Sequence, residues 1–348
     1  MDERLYCKSQ ESRLGLWFSI SVGCTRAGMA VVGPLNNALG TRNTRIIIQL
    51  VYITGLLCLA FSTQEYPWLI CPGLSCIGLA GNAQLITNIQ VANLFPIFSS
   101  TIAALLCGLY ESSPVVSQII KVTYGLGISH RTAFIFLACL YVLMTVTSTF
   151  FILPKTYIYR PIKNVEIQIK VDEDCKHTDL PSEEETISSN GRYIRPQESV
   201  RWYMMSLTYI SHTTWMSLNT LFYAVFLSIL HIRVEVLSRG EKSIASYYVG
   251  VFAYTTFGAV IGSLIAGMIY DAGRKRYRGS PFPSNTFRPV VVPLTACGVF
   301  ITIVFGFMME GGVTFLLPTF IAFTLFRTFL YSTTVAFVNE AFPTEYFA

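Results

Sequence analysis

Three ionisable residues, Arg26, Glu111 and Arg327, lie within stretches of otherwise apolar sequence long enough to cross a bilayer. A charge held at bilayer depth costs roughly 2.5–3.5 kcal/mol on insertion scales, so it persists where it faces a polar cavity or a partner. The chemistry expected of this trio is recognition, charge pairing or gating inside a helix bundle, with something polar passing between the helices. A carboxylate at that depth is also a candidate proton carrier. Arg26 has a second option, because its long side chain can snorkel to the interface if its span is shifted.

The elements that must position these charges are transmembrane helices. Of 348 residues, 52% are hydrophobic and 13% charged, against about 25% charged in soluble domains, and the mean hydropathy is +0.51. A spanning helix needs about 20 mostly apolar residues. Nine stretches qualify: 14–36, 46–62, 68–92, 100–120, 131–153, 203–230, 245–270, 289–309 and 313–338. The fourth is the least apolar, holding Glu111 and Pro114. The fold class is therefore an all-α polytopic membrane protein, and an odd number of spans puts the two ends on opposite sides.

Loop charge sets the orientation. Taken alternately, the loops carry fifteen Lys and Arg on one side, including Arg42, Arg45 and the run Arg274 to Arg288, and eight on the other. The positive-inside rule places the first set in the cytosol and residues 1–13 outside. Residues 155–200 form one long polar stretch with an acidic middle from Asp172 to Glu185. Low hydrophobicity with clustered charge predicts a disordered cytosolic linker. It separates an N-terminal helical bundle, 1–154, from a C-terminal one, 201–348.

The function classes this pattern excludes are as informative. Four histidines (His130, His177, His212, His231) are too dispersed for a metal motif, and no phosphate loop or nucleophile elbow appears. The nine cysteines form no CxxC pair and act as small hydrophobes. No catalytic residues, metal or cofactor are expected, and nucleic acid is not an expected partner. The first residues lack the apolar core of a cleavable signal peptide. A receptor would call for seven spans and leaves the linker unplaced.

The halves share an internal echo. Gly33, Asn37, Gly40 and Arg42 follow the first span, and Gly267, Asp271, Gly273 and Arg274 end the seventh. Each copy sets a Gly, then a polar residue four positions on, then Gly and a basic residue, at the cytosolic end of a helix. These spacings resemble the loop signature of the major facilitator superfamily, Gly-x-x-x-Asp-Arg/Lys-x-Gly-Arg/Lys-Arg/Lys. Asn37 and Ala38 depart from it, standing where the signature has Asp and a basic residue. The resemblance makes the nine spans helices two to ten of a twelve-helix protein, with the linker between six and seven. It implies that the chain lacks helices one, eleven and twelve, as a fragment, a short form or an incomplete gene model would. An alternative reading is a truncated product that inserts in the membrane without transporting.

Two longer stretches resemble solute carrier family 43. The first runs Thr87-Asn88-Ile89-Gln90, Asn93-Leu94-Phe95, Ser100-Thr101-Ile102, Ser112-Ser113, Ile119-Ile120-Lys121, Gly127-Ile128-Ser129 and Phe134-Ile135-Phe136. The second is Arg327, Phe329-Leu330-Tyr331, Ala336-Phe337 and Ala341-Phe342-Pro343. Ser99 takes a usual Arg position, and Glu111 replaces an Asp. The first stretch is more similar to the equilibrative nucleobase transporter branch than to the large neutral amino acid branch.

The resemblance implies a uniporter working by alternating access, whose helices one, four, seven and ten line a central cavity. Carried onto this sequence, the cavity residues are Gln84, Thr87 and Asn88 of helix four, Trp215 and Asn219 of helix seven, and Arg327 and Tyr331 of helix ten. His212, Thr213 and Thr334 lie nearby. The spacing Gln84, Thr87, Asn88 puts all three on one helix face, where they serve equally well to join helices, and Trp215 and Tyr331 serve equally well as packing. The implied partners are a neutral small-molecule substrate, a purine nucleobase or a large neutral amino acid, and the lipid bilayer. A monomer in the plasma membrane is expected.

Overall fold

The computed structural model describes residues 3–95, 97–152, 200–238, 241–279, 284–309 and 312–342. The polar linker of 155–200 lies outside the described residues except for its last position, which opens α6. Eleven α-helices occur among the described residues: α1 (Glu3–Ala60), α2 (Ile70–Ile89), α3 (Ser99–Glu111), α4 (Pro114–Gly125), α5 (His130–Thr147), α6 (Val200–Met204), α7 (Leu207–Leu237), α8 (Lys242–Thr255), α9 (Gly258–Arg276), α10 (Ser284–Met309) and α11 (Leu316–Ala341). Lipid offers no partner to backbone N–H and C=O groups, so only segments that satisfy them internally can cross.

Nine helical segments among the described residues are long and apolar enough to span a membrane. They match the nine expected stretches with shifted ends, the largest shift being at the start of the second. The second span begins at Ala38 rather than 46. Arg42 and Arg45, expected in a loop, are therefore helical residues of α1. The reason is Gly40, at φ 77° and ψ 162°, which reverses the chain alone within the 58 residues of α1. That backbone region is open to glycine and strained for other residues.

Two spans are broken. Span Ser99–Gly125 is α3 and α4, and span Ser243–Arg276 is α8 and α9. The first break follows Glu111, where Ser112 and Ser113 precede Pro114 at the first position of α4. Proline has no N–H to give the preceding turn but suits a helix start.

Small residues set the packing. Gly55 and Gly73 lie so close that a Cβ on Gly55 would sit 2.9 Å from the Gly73 carbonyl oxygen, drawing the second span of α1 onto α2. On the C-terminal side α11 is the centre, packed against α7, α8, α9 and α10. Its core is aromatic, with the Phe226 and Phe323 rings stacked 3.9 Å apart. The two sides meet where α3 lies on α9 and α11, and α4 on α8.

Candidate functional site

The charge trio divides. Glu111, the last residue of α3, and Arg327, in the middle of α11, are both 7% exposed and form an ion pair. The Arg327 guanidinium also donates to the Glu111 carbonyl oxygen, 216 residues away in sequence. The helix break after Glu111 leaves that carbonyl free of the regular ladder. Removing one partner from a buried pair typically costs about 3–5 kcal/mol, because the other charge stays buried and uncompensated.

Tyrosines surround the pair. Arg327 Cζ lies 5.8 Å from the Tyr223 ring centroid, a cation–π contact. Tyr223 meets Tyr331 edge-on at 6.4 Å and stacks on Phe323 at 5.6 Å. Tyr110 of α3 approaches α2 at Gly81, where a Cβ would lie 3.6 Å from its ring. Arg26 is exposed on α1 yet within electrostatic reach of both Tyr110 and Tyr223. Its charge therefore bears on this cluster, which draws on α1, α2, α3, α7 and α11.

Tyr110 and Tyr223 were absent from the sequence reading, although the signals were there. Tyr110 adjoins Glu111, and Tyr223 follows Asn219 by one helical turn.

The helix-four residues are divided by the packing. The Gln84 amide oxygen is buried and finds no partner among the described residues. Thr87 is fully buried and donates to the Gln84 carbonyl at 2.9 Å. Asn88 turns away and accepts from the buried guanidinium of Arg45. On α7, the Asn219 amide donates to the Trp215 carbonyl of its own helix at 2.8 Å. Trp215 stacks with His212 at 5.9 Å, Thr213 is exposed, and the Thr334 hydroxyl contacts Met216 Sδ at 3.3 Å.

The two signature copies differ in what they hold. In the first, Gly33 is buried, Gly40 makes the turn, and Arg42 donates to the Thr149 and Phe150 carbonyls at 3.3 and 2.9 Å. The side chain of Asn37 lies outside the described residues. In the second, the Asp271 carboxylate accepts from the Thr101 N–H at 2.9 Å and its hydroxyl at 2.7 Å. It thereby caps the start of α3 across the junction between the two sides. Arg274 donates to Ser99 Oγ at 2.9 Å and pairs with Glu340 at 3.4 Å. Serine at position 99 supplies the acceptor.

Gly267 brings α9 against Thr101, and Gly273 brings it against Pro289. Loss of a helix cap costs about 0.5–2 kcal/mol. Asp271→Ala is expected to raise modification of a cysteine placed at buried Ser100 by about 3- to 30-fold, the factor those energies imply. Peptide-resolved labelling rates check it.

A family model for the Major Facilitator Superfamily matches residues 8–348. The chain belongs to the major facilitator superfamily. This facilitator is a multi-pass membrane transporter, a family of transporters rather than enzymes. It is 25% identical over 368 residues to "Equilibrative nucleobase transporter 1" of Bos taurus, covering 98% of this chain and 73% of the relative. Over 125 residues it is 31% identical to "Large neutral amino acids transporter small subunit 3" of Mus musculus, covering 35% of this chain and 22% of the relative. The Homo sapiens protein of that name is 27% identical over 126 residues, with the same coverage. The solute carrier family 43 resemblance is thus borne out, at low identity.

Proposed function

We propose that this facilitator is a sodium-independent uniporter of purine nucleobases at the plasma membrane, working as a monomer by alternating access between its two helical sides. The observation that carries the reading is the closed pairing of Glu111 with Arg327 among tyrosines. An amino acid needs a cation for its carboxylate and an anion for its ammonium, and here those two charges are already joined. A planar neutral base needs stacking surfaces and amide-type partners. Tyr110, Tyr223 and Tyr331 offer the first, and the Gln84 side-chain amide oxygen, without a partner among the described residues, the second. Glu111 is likewise committed to Arg327 rather than left to carry a proton.

The rocking reading rests on the signature edge. Asp271 and Arg274 tie α9 to the start of α3, and releasing them would let that edge part. Uptake of radiolabelled adenine and leucine into cells expressing the chain tests the substrate. Adenine uptake is expected to saturate and to be unchanged when sodium is replaced or a proton gradient collapsed. Leucine uptake that excess adenine does not reduce, or adenine uptake that tracks the proton gradient, would overturn the reading.

A further inference from the structure

The end of α9 and the start of α10 enclose a groove of about 440 Å³, remote from the tyrosine cluster and independent of which solute is carried. Its floor is apolar, formed by Ile269, Ala272, Val291 and Val292, and its rim is cationic, formed by Arg276 and Arg288. Close approach at Gly273, where a Cβ would lie 3.1 Å from Pro289 Cα, gives the groove its base. Arg288 is held over the Tyr277 ring, 5.5 Å from its centroid.

Apart from the contact of Arg288 with Tyr277, the rim charges make no ion pair among the described residues. Arg274, on the inner side of the same turn, is engaged with Ser99 and Glu340. Arg276 and Arg288 are exposed, and neither has an acidic partner among the described residues. Helix dipole and topology account for basic residues at a helix end, but they do not require an apolar slot running from those residues towards bilayer depth. Arg276 ends one membrane span and Arg288 lies next to the start of the following one. The rim therefore sits at the headgroup layer and the floor lies alongside the acyl chains.

We infer that this groove binds an anionic glycerophospholipid, with its phosphate between Arg276 and Arg288 and an acyl chain along Ile269 and Val292. Juxtamembrane basic clusters recognise such headgroups by charge, and the apolar floor adds the shape that a free anion would not need. The bound lipid would brace the turn whose opposite face carries Asp271 and Arg274, so headgroup composition would bear on the signature edge.

Titration of phosphatidylinositol 4-phosphate and of phosphatidylcholine onto the purified full chain in detergent, read by native mass spectrometry, tests the site. The anionic lipid is expected to bind in preference to the zwitterionic one. The double variant R276Q/R288Q is expected to weaken it about 30-fold, from the loss of two surface cations. Val292→Trp keeps every charge but fills the floor, and is expected to weaken binding at least 5-fold. Arg131→Gln, at the opposite edge, serves as the control and is expected to bind as the parent does. Equal binding by the double variant and the parent would overturn the site. Unchanged binding by Val292→Trp would reduce it to unspecific surface charge, and displacement of the lipid by equimolar inorganic phosphate would assign it to a free anion instead.

Discussion

Replacing Arg327 with Met is expected to reduce solute uptake by a factor on the order of 100 and to destabilise the protein, even though the new side chain suits an apolar interior. The cause is Glu111, left 7% exposed with its charge uncompensated. Stranding one member of a buried pair costs about 3–5 kcal/mol, and a cost at the lower end is already more than 100-fold in an equilibrium. Glu111→Met is expected to behave in the same way. The double replacement separates folding from transport, because two apolar side chains often match or exceed a buried ion pair in stability.

The double variant should therefore regain most of the thermal stability, measured in detergent, while uptake stays low. Transport would still lack the charge-pair contact that links α3 to α11 beneath the tyrosines. Parent-like uptake by either single variant would remove the pair from the mechanism. Parent-like uptake by the double variant would make its role purely structural.

Gly267→Val is the second substitution with a large expected effect. A Cβ there would lie 2.5 Å from Thr101 Cα, 2.9 Å from Ala104 Cβ and 3.1 Å from the Ser100 carbonyl oxygen. Two of those three atoms are backbone, so no side-chain rotation relieves the overlap and α9 must move away from α3. Overpacking of this kind costs typically about 1–3 kcal/mol. Here the displacement also pulls the Asp271 carboxylate from the start of α3. Uptake is expected to fall at least 10-fold, with faster labelling of the cysteine placed at Ser100. Gly108 faces α9 in the same way, against Ser263 and the Ala259 carbonyl oxygen. Gly298→Ala, where nothing lies within 4 Å of the added carbon, is the matched control and is expected to leave uptake unchanged.

Much of the architecture was legible without coordinates. The nine spans and the depth of Glu111 and Arg327 follow from residue type and spacing. The signature loop around Gly40 was the exception. A polar run containing Arg42 and Arg45 reads as a loop, yet one glycine makes the whole turn and both arginines are helical. Arg45 is buried and its guanidinium is satisfied in part by Asn88, so a residue expected to line a cavity also holds a partner within the bundle. Nothing local could reveal that, since the contact depends on how α1 is rotated against α2.

The division has one physical origin. In lipid a segment must satisfy its own backbone hydrogen bonds, so whether a stretch crosses the membrane is a property of that stretch, and the order of residues alone determined the spans and the charges they carry. Which charge meets which is set by helix rotation and by close approach at small side chains between segments far apart in the chain. The joining of Glu111 to Arg327, the gathering of Tyr110, Tyr223 and Tyr331 around them, and the capping of α3 by Asp271 were therefore decided only by the tertiary structure.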